Sequence, residues 1–305
     1  MAATVYIIRH AEAEGNIYRR CHGLYDSLLT PRAYQQLPCL AKRFENVPLA
    51  AVYASPLFRA RTTAQAVAAP HGLTVELRNA LHEIDMGDWE DLPWAELPHG
   101  WPDQYAKWCA RPWEAAPPHG ETVMQAGARM LNEVRRLAQE NDGKAIAVVT
   151  HGSAIRGALT IAHGFPPEKM NEIGWGDNTC VARLDFDENG NIDTENVPDP
   201  FFDPLKTDVK MLLTSWDDSG NETTPYSVDL KVVGILKEDQ GKGYETSEGV
   251  MMDINALKSL IYDLTGKTDT KFEYSSINVK AESLDAVADV EQSIKDLGYS
   301  TYSMQ

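Results

Sequence analysis

Val5-Tyr-Ile-Ile8-Arg9-His10 and Ala145-Ile-Ala-Val-Val-Thr150-His151-Gly152 decide the fold. Each is a short apolar run that stops at a histidine. A third run, Leu49 to Ala54, stops at Ser55. Between the runs lie amphipathic stretches that predict helices over Pro31 to Phe44, Arg59 to Ala69 and Thr122 to Gln139. Strand signals alternating with helix signals predict an α/β domain with a largely parallel sheet. In such sheets ligands bind beyond the carboxyl ends of strands. His10, Ser55 and His151 each stand just past such an end, and Arg59 opens the helix after Ser55.

Composition bounds what the chain can be. At 305 residues it is long for one core, which predicts two domains. Hydrophobic residues make up 43% and charged residues 24%, the balance of a soluble globular protein. No apolar run approaches the roughly 20 residues that span a bilayer, so no membrane insertion is expected. Met1 to Ile8 has neither a basic n-region nor a small-residue cleavage site and reads as a strand. Cys21, Cys39, Cys109 and Cys180 form no C-x-x-C pair. Reduced thiols and a cytoplasmic location are the expectation. The net charge of −17 argues against nucleic acid and anionic membranes as partners. An anionic substrate would need a local basic pocket inside this field.

Residue types change near position 200. All 8 histidines lie at or before His163, and every arginine lies at or before Arg183. Later basic residues, Lys206 to Lys295, are all lysine. The prolines of Val197-Pro-Asp-Pro-Phe-Phe-Asp-Pro204 break any continuing element. The expected domains are therefore 1–197 and 198–305.

The site residues have chemistry in common. Neutral imidazole is a good nucleophile near neutral pH and forms a phosphoramidate that water can cleave. Cations in a dry pocket stabilise a phosphoryl group in transfer. Each residue taken alone has a plainer reading as a structural histidine or a strand-end charge.

The order of the motifs is more specific. Arg9-His10-Ala-Glu-Ala-Glu-Gly-Asn16 is followed by Gly23-Leu-Tyr-Asp26-Ser-Leu-Leu29-Thr30 and Ser55-Pro-Leu-Phe-Arg59-Ala-Arg-Thr-Thr63. Then come Leu81-His-Glu83-Ile-Asp-Met-Gly87-Asp-Trp89-Glu90, Gly120-Glu121-Thr122 and His151-Gly-Ser-Ala-Ile-Arg156. Over residues 4–195 this resembles the histidine phosphatase (phosphoglycerate mutase-like) superfamily. The resemblance implies a three-layer α/β/α domain and a phosphatase that needs no metal and no cofactor. It implies His10 as nucleophile, with Arg9, Asn16, Arg59 and His151 binding phosphate. It implies Glu83 as the acid that protonates the leaving alkoxide, its pKa raised by burial beside phosphate. Glu83 could instead only cap the following segment; Asp85 and Glu90 flank it.

Three positions depart from the family pattern. Ala11 and Ala33 replace glycines, and His22 stands where glutamine is common. His22 bears on substrate choice. Arg20, beside Arg19, could meet a second anionic group or simply be a solvated loop charge. The aromatic insert Trp89 to Trp113 is expected to cover the pocket, and its pattern is similar to the α-ribazole and broad-specificity phosphatases. A small phosphomonoester is the expected substrate. A cofactor-dependent phosphoglycerate mutase and a catalytically silent binding module are the alternatives. Asp185 to Asp193 imitates a calcium loop, but position twelve is Asn196 and Thr179 to Leu184 reads as strand. Asn189-Gly190 predicts a β-hairpin there.

The second part predicts a smaller α+β domain. Strands are expected over Val228 to Leu236, Val250 to Ile254, Ser276 to Lys280 and Tyr299 to Met304. Helices are expected over Asn255 to Leu264 and Leu284 to Leu297. Val232-Val-Gly-Ile235, Gly249 to Ile254 and Ile277 to Lys280 resemble the extracytoplasmic domain of macrolide-exporter-type ABC transporter permeases. The resemblance implies a protein-interaction or structural role, and a fusion of two unlike modules. Asn221-Glu-Thr223 is read as a chance sequon.

Overall fold

The computed structural model describes residues 3–194, 205–206, 208–213, 226–233, 252–265 and 287–296. The chain divides into two compact units, Met1–Pro198 and Asp199–Gln305.

In the first unit the order is β1 (Thr4–Arg9), α1 (Glu14–Ile17), α2 (Ala33–Phe44), β2 (Leu49–Ala54), α3 (Phe58–Ala68) and β3 (Val75–Leu77). Then follow α4 (Leu97–Gly100), α5 (Pro102–Ala110), α6 (Val123–Glu140), β4 (Ala145–Thr150), α7 (Gly152–Ala162) and β5 (Val181–Asp185). The sheet order is β3-β2-β4-β1-β5. β1, β2, β3 and β4 run parallel, and β5 is antiparallel to β1 at one edge. Strands buried on both faces read as continuous apolar runs, which is why β1 and β4 carry so few polar residues.

Side chains alternate between two layers of helices. Val5, Ile7, Ile146 and Val148 pack against Met130, Leu131 and Val134 of α6 and Ala154 and Ala158 of α7. Ile8, Val52, Ala147 and Val149 pack on the other face, against Leu40 and Phe44 of α2 and Ala60, Ala64 and Val67 of α3. A smaller core surrounds the fully buried Trp89, where Trp101, Tyr105 and Trp108 of the aromatic insert gather. The ring of Trp108 lies 5.8 Å from that of Trp89, edge to face.

Helix ends follow local chemistry. Thr122 Oγ1 accepts from Gln125 N at 3.1 Å, and Gln125 Oε1 accepts from Thr122 N at 2.8 Å, a reciprocal cap that starts α6. The calcium-like segment is a turn. Phe186 bridges Ile192 antiparallel, and Gly190 takes φ 81°. The segment before it is strand β5, not helix.

The second unit holds an antiparallel pair, β6 (Val209–Leu213) with β7 (Tyr226–Leu230), and helices Ile254–Thr265 and Val287–Asp296. Two expectations need correction, and one strand was missed. The strand expected over Val228 to Leu236 runs Tyr226–Leu230, and residues 231–233 lie outside it. The strand over Val250 to Ile254 meets a helix starting at Ile254, because Asp253 Oδ1 accepts from Asn255 N and Ala256 N at 2.9 and 3.0 Å and caps it. Strand β6 was not expected from the sequence. The strands over Ser276 to Lys280 and Tyr299 to Met304 lie outside the described residues. No helix among the described residues is long and apolar enough to cross a membrane.

Helices α6 and α7 cross with backbones in contact. A Cβ on Gly127 would lie 2.3 Å from the carbonyl carbon of Gly157, and one on Gly157 would lie 2.3 Å from Val123 O. Neither neighbour can yield without moving a helix. Gly157→Ala should therefore lower the stability of the first unit by about 1–3 kcal/mol in urea unfolding. An unchanged midpoint would contradict this crossing.

Candidate active site

Strand order assembles the site. β4 lies between β1 and β2, so the residues just past these three ends are neighbours. His10 N donates to Thr150 O and Ser55 N donates to Val149 O, each at 3.0 Å, carrying the ladder one step beyond the strands. The rings of His10 and His151 stand 5.1 Å apart. His10 is 5% exposed and His151 fully buried.

Hydrogen bonds define both rings. His10 Nδ1 lies 2.7 Å from Ala11 O, a pure acceptor, so Nδ1 carries the proton and Nε2 the lone pair. His151 Nε2 meets Ser55 Oγ at 2.8 Å. Its Nδ1 is buried with no protein partner. Burial holds the pKa of His10 well below the ordinary imidazole value, helped by the charges of Arg59 and Arg9. His151 is lowered for the same reasons: burial first, then Arg59, His10, His82 and Arg9.

The two arginines differ in use. Arg9 Nη1 donates to Gly176 O, and its Nε is buried with no protein partner. Arg59 is 1% exposed and committed to the backbone of the loop after α1. Its Nη1 donates to Tyr25 O at 2.7 Å, and its Nη2 donates to Gly23 O at 2.8 Å and His22 O at 3.3 Å. Glu90 holds the same loop from its N–H groups, accepting from Gly23, Leu24 and Tyr25 at 3.2, 2.7 and 3.0 Å. The loop is thus clamped between a cation and a carboxylate. Gly23 is required there, since a Cβ would lie 2.2 Å from Ile84 O.

Glu83 is buried, and its capping role is realised. Oε1 accepts from Ala154 N at 2.9 Å and from Ile84 N at 2.8 Å, and Oε2 accepts from Ser153 N at 3.1 Å. The carboxylate therefore sits on the first turn of α7, directly after His151. It also leads the carboxylates, ahead of Asp26 and Glu90, that oppose the lowering of the buried Arg59.

Asn16 is exposed, and its Oδ1 accepts from Ala13 N at 2.9 Å and Asn178 Nδ2 at 3.3 Å, which leaves its own amide N–H groups to donate. Arg20 and His22 do not stand free. Arg20 Nε and His22 Nε2 both reach Asp91 Oδ1, at 2.7 and 2.9 Å. The Arg20 hydrogen bond is the main reason the Asp91 carboxyl sits below its usual range. His22 also stacks on Tyr25, ring centroids 4.6 Å apart.

Sequence reasoning set Glu90 aside and missed Asn178. Asn178 Nδ2 donates to His10 O at 3.0 Å as well as to Asn16. Next to it Thr179, a β-branched residue, takes φ 67°, and its N–H donates to Arg9 O at 3.1 Å. Strain of this kind persists only where surroundings enforce it. Among the described residues no group of three or more His, Cys, Asp or Glu side chains could hold a metal ion.

The sequence model of the histidine phosphatase superfamily (branch 1) matches residues 5–196. The chain belongs to this superfamily. Phosphoserine phosphatase 1 of Hydrogenobacter thermophilus is 26% identical over 186 residues, 61% of this chain and 88% of that protein. A probable phosphoglycerate mutase, GpmB of Yersinia pestis, is 30% identical over 185 residues, 60% and 85% of the two chains. The solved structure of an α-ribazole phosphatase from Shigella flexneri matches with a TM-score of 0.56 and 26% identity, covering 61% of this chain and 91% of that one. These three relatives are matched over 88%, 85% and 91% of their own lengths.

The lowered histidines make stability depend on pH. In the unfolded chain both rings take up protons near pH 6.5, while in the folded protein they stay neutral further down. Their contribution is complete above pH 6.5 and is lost as pH falls below it. The urea midpoint should fall between about pH 7.5 and about pH 5.5 and fall less in His151→Gln. Equal slopes in the two proteins would contradict burial of this ring in its neutral form.

Proposed function

We propose that the chain hydrolyses small phosphomonoesters through a phosphohistidine on His10. One observation carries this reading. Two polar atoms without a protein partner, Arg9 Nε and His151 Nδ1, are buried at the end of the sheet where a neutral His10 presents Nε2. Leaving such atoms unpaired costs about 1–3 kcal/mol each, and a bound phosphate oxygen removes that cost.

The steps follow from the side chains. His10 Nε2 attacks phosphorus as the ester oxygen leaves. Arg9, His151 and the Asn16 amide bind the non-bridging oxygens, and Arg59 adds its charge while it fixes the loop. Glu83 gives the leaving alkoxide its proton. Oε2 is the oxygen for this, since its contact with Ser153 N is the longest of the three, at 3.1 Å. The same carboxylate then takes a proton from the water that cleaves the phosphoramidate, and phosphate leaves. Arg20 and His22, joined through Asp91, form the rim that meets the rest of the substrate. The names of the phosphatase relatives support hydrolysis of a small ester. The mutase reading draws support from the relative described as a probable mutase. Asp199–Gln305 is read as an interaction module beside the enzyme; its lack of histidine, cysteine and arginine supports a role outside catalysis.

The full chain should release phosphate from alkyl and aryl esters, and should not isomerise 3-phosphoglycerate without release. His10→Ala should lower kcat by at least about 1,000-fold. Glu83→Gln should slow alkyl esters far more than 4-nitrophenyl phosphate, whose leaving group needs no proton. Isomerisation without release favours the mutase reading. Activity retained in His10→Ala would overturn both.

A further inference from the structure

Trp175 is 43% exposed, although large aromatics usually find cover. It belongs to Ile173-Gly-Trp-Gly176, where glycines flank the indole on both sides. The backbone around it is pinned twice. Arg156 Nε donates to Ile173 O at 3.0 Å, and Arg156 Nη2 donates to Asn171 Oδ1 at 2.8 Å. On the other side Arg9 donates to Gly176 O. The Arg156 guanidinium also lies over the indole, 4.6 Å from its centroid. One face of the ring is therefore backed by a cation.

The ring edge lies beside the phosphate site. A point one bond out from Gly152 Cα is 3.4 Å from Arg9 Nε and 3.6 Å from Trp175 Cζ3. Gly152 directly follows His151, and Arg9 Nε is one of the two unpartnered buried atoms that the phosphatase reading gives to phosphate. Glu83 Oε2, which that reading sets beside the leaving oxygen, accepts from Ser153 N, the residue next to Gly152, so the leaving group of an ester held at Arg9 and His151 departs close to this edge.

We propose that Trp175 is a specificity-determining residue that stacks a planar, aromatic leaving group of the substrate. The proposal rests on the phosphatase reading and narrows it to esters of this class. Three features set the residue up for this. It is exposed, so substrate can reach it. It is backed and pinned, so little ordering is lost when it stacks. It neighbours the arginine that anchors the phosphate, so one substrate can touch both.

The test compares benzyl phosphate with glycerol phosphate on the full chain. Both release primary alkoxides, so stacking is the main difference between them. The wild type should favour benzyl phosphate in kcat/KM. Trp175→Ala should reduce the benzyl-to-glycerol ratio about twofold to tenfold, chiefly through KM, as an aromatic pair is worth about 0.5–1.5 kcal/mol. Trp175→Phe should keep most of the ratio. A merely structural Trp175 would depress both esters together, and a ratio unchanged in Trp175→Ala would overturn the proposal. A wild type without preference for benzyl phosphate would do the same. Failure to release phosphate from either ester would instead strike the phosphatase reading beneath it.

Discussion

Two imidazoles buried between two guanidinium groups cannot readily both be charged. That electrostatic constraint governs the rest of the site. Burial and the nearby Arg9 and Arg59 keep His10 and His151 in the neutral form. For His10 neutrality is useful, because its Nδ1–H is bound to Ala11 O and the lone pair rests on Nε2. Arg9 and Arg59 thereby remain the cations of the pocket, and their two guanidinium charges suit a doubly charged phosphoryl group.

Such a field needs rigid support, and the fold supplies it in two ways. Parallel pairing of β1 and β2 with β4 fixes His10, Ser55 and His151 at adjacent strand ends. The loop over Gly23 to Tyr25 is held through its carbonyls by Arg59 and through its N–H groups by Glu90. Arg59 therefore serves two ends. Its buried charge acts on both histidines, and its hydrogen bonds hold the backbone that roofs it. Glu83 is likewise shared between the N-terminus of α7 and the chemistry proposed for it.

Much of this was legible in the residues. Short apolar runs ending in His10, Ser55 and His151, alternating with helical stretches, read as buried strands, and their ends mark the candidate site. The helix over Thr122 to Gln139 was equally readable. Other parts depend on distant partners and leave no local trace. Glu90 looked like one of several acids near Glu83, yet its partners lie near position 24. Asn178 and Trp175 sit in a connection without periodicity, and only β5 pairing beside β1 brings Asn178 to His10 and Trp175 to Gly152. Arg20 and His22 looked free because Asp91, which binds both, is far along the chain. In the second unit a short apolar run before Asp253 resembled a strand, and one capping carboxylate turned its end into a helix.

The central claim is that His10 Nε2 becomes covalently phosphorylated during turnover. Rapid mixing of the full chain with a phosphomonoester, alkaline quench and 31P NMR of the protein tests it directly. An acid-labile phosphoramidate signal is expected on the peptide that carries His10, and none in His10→Ala. Phosphate released at the full rate with no such signal at any time in the first turnover would contradict it.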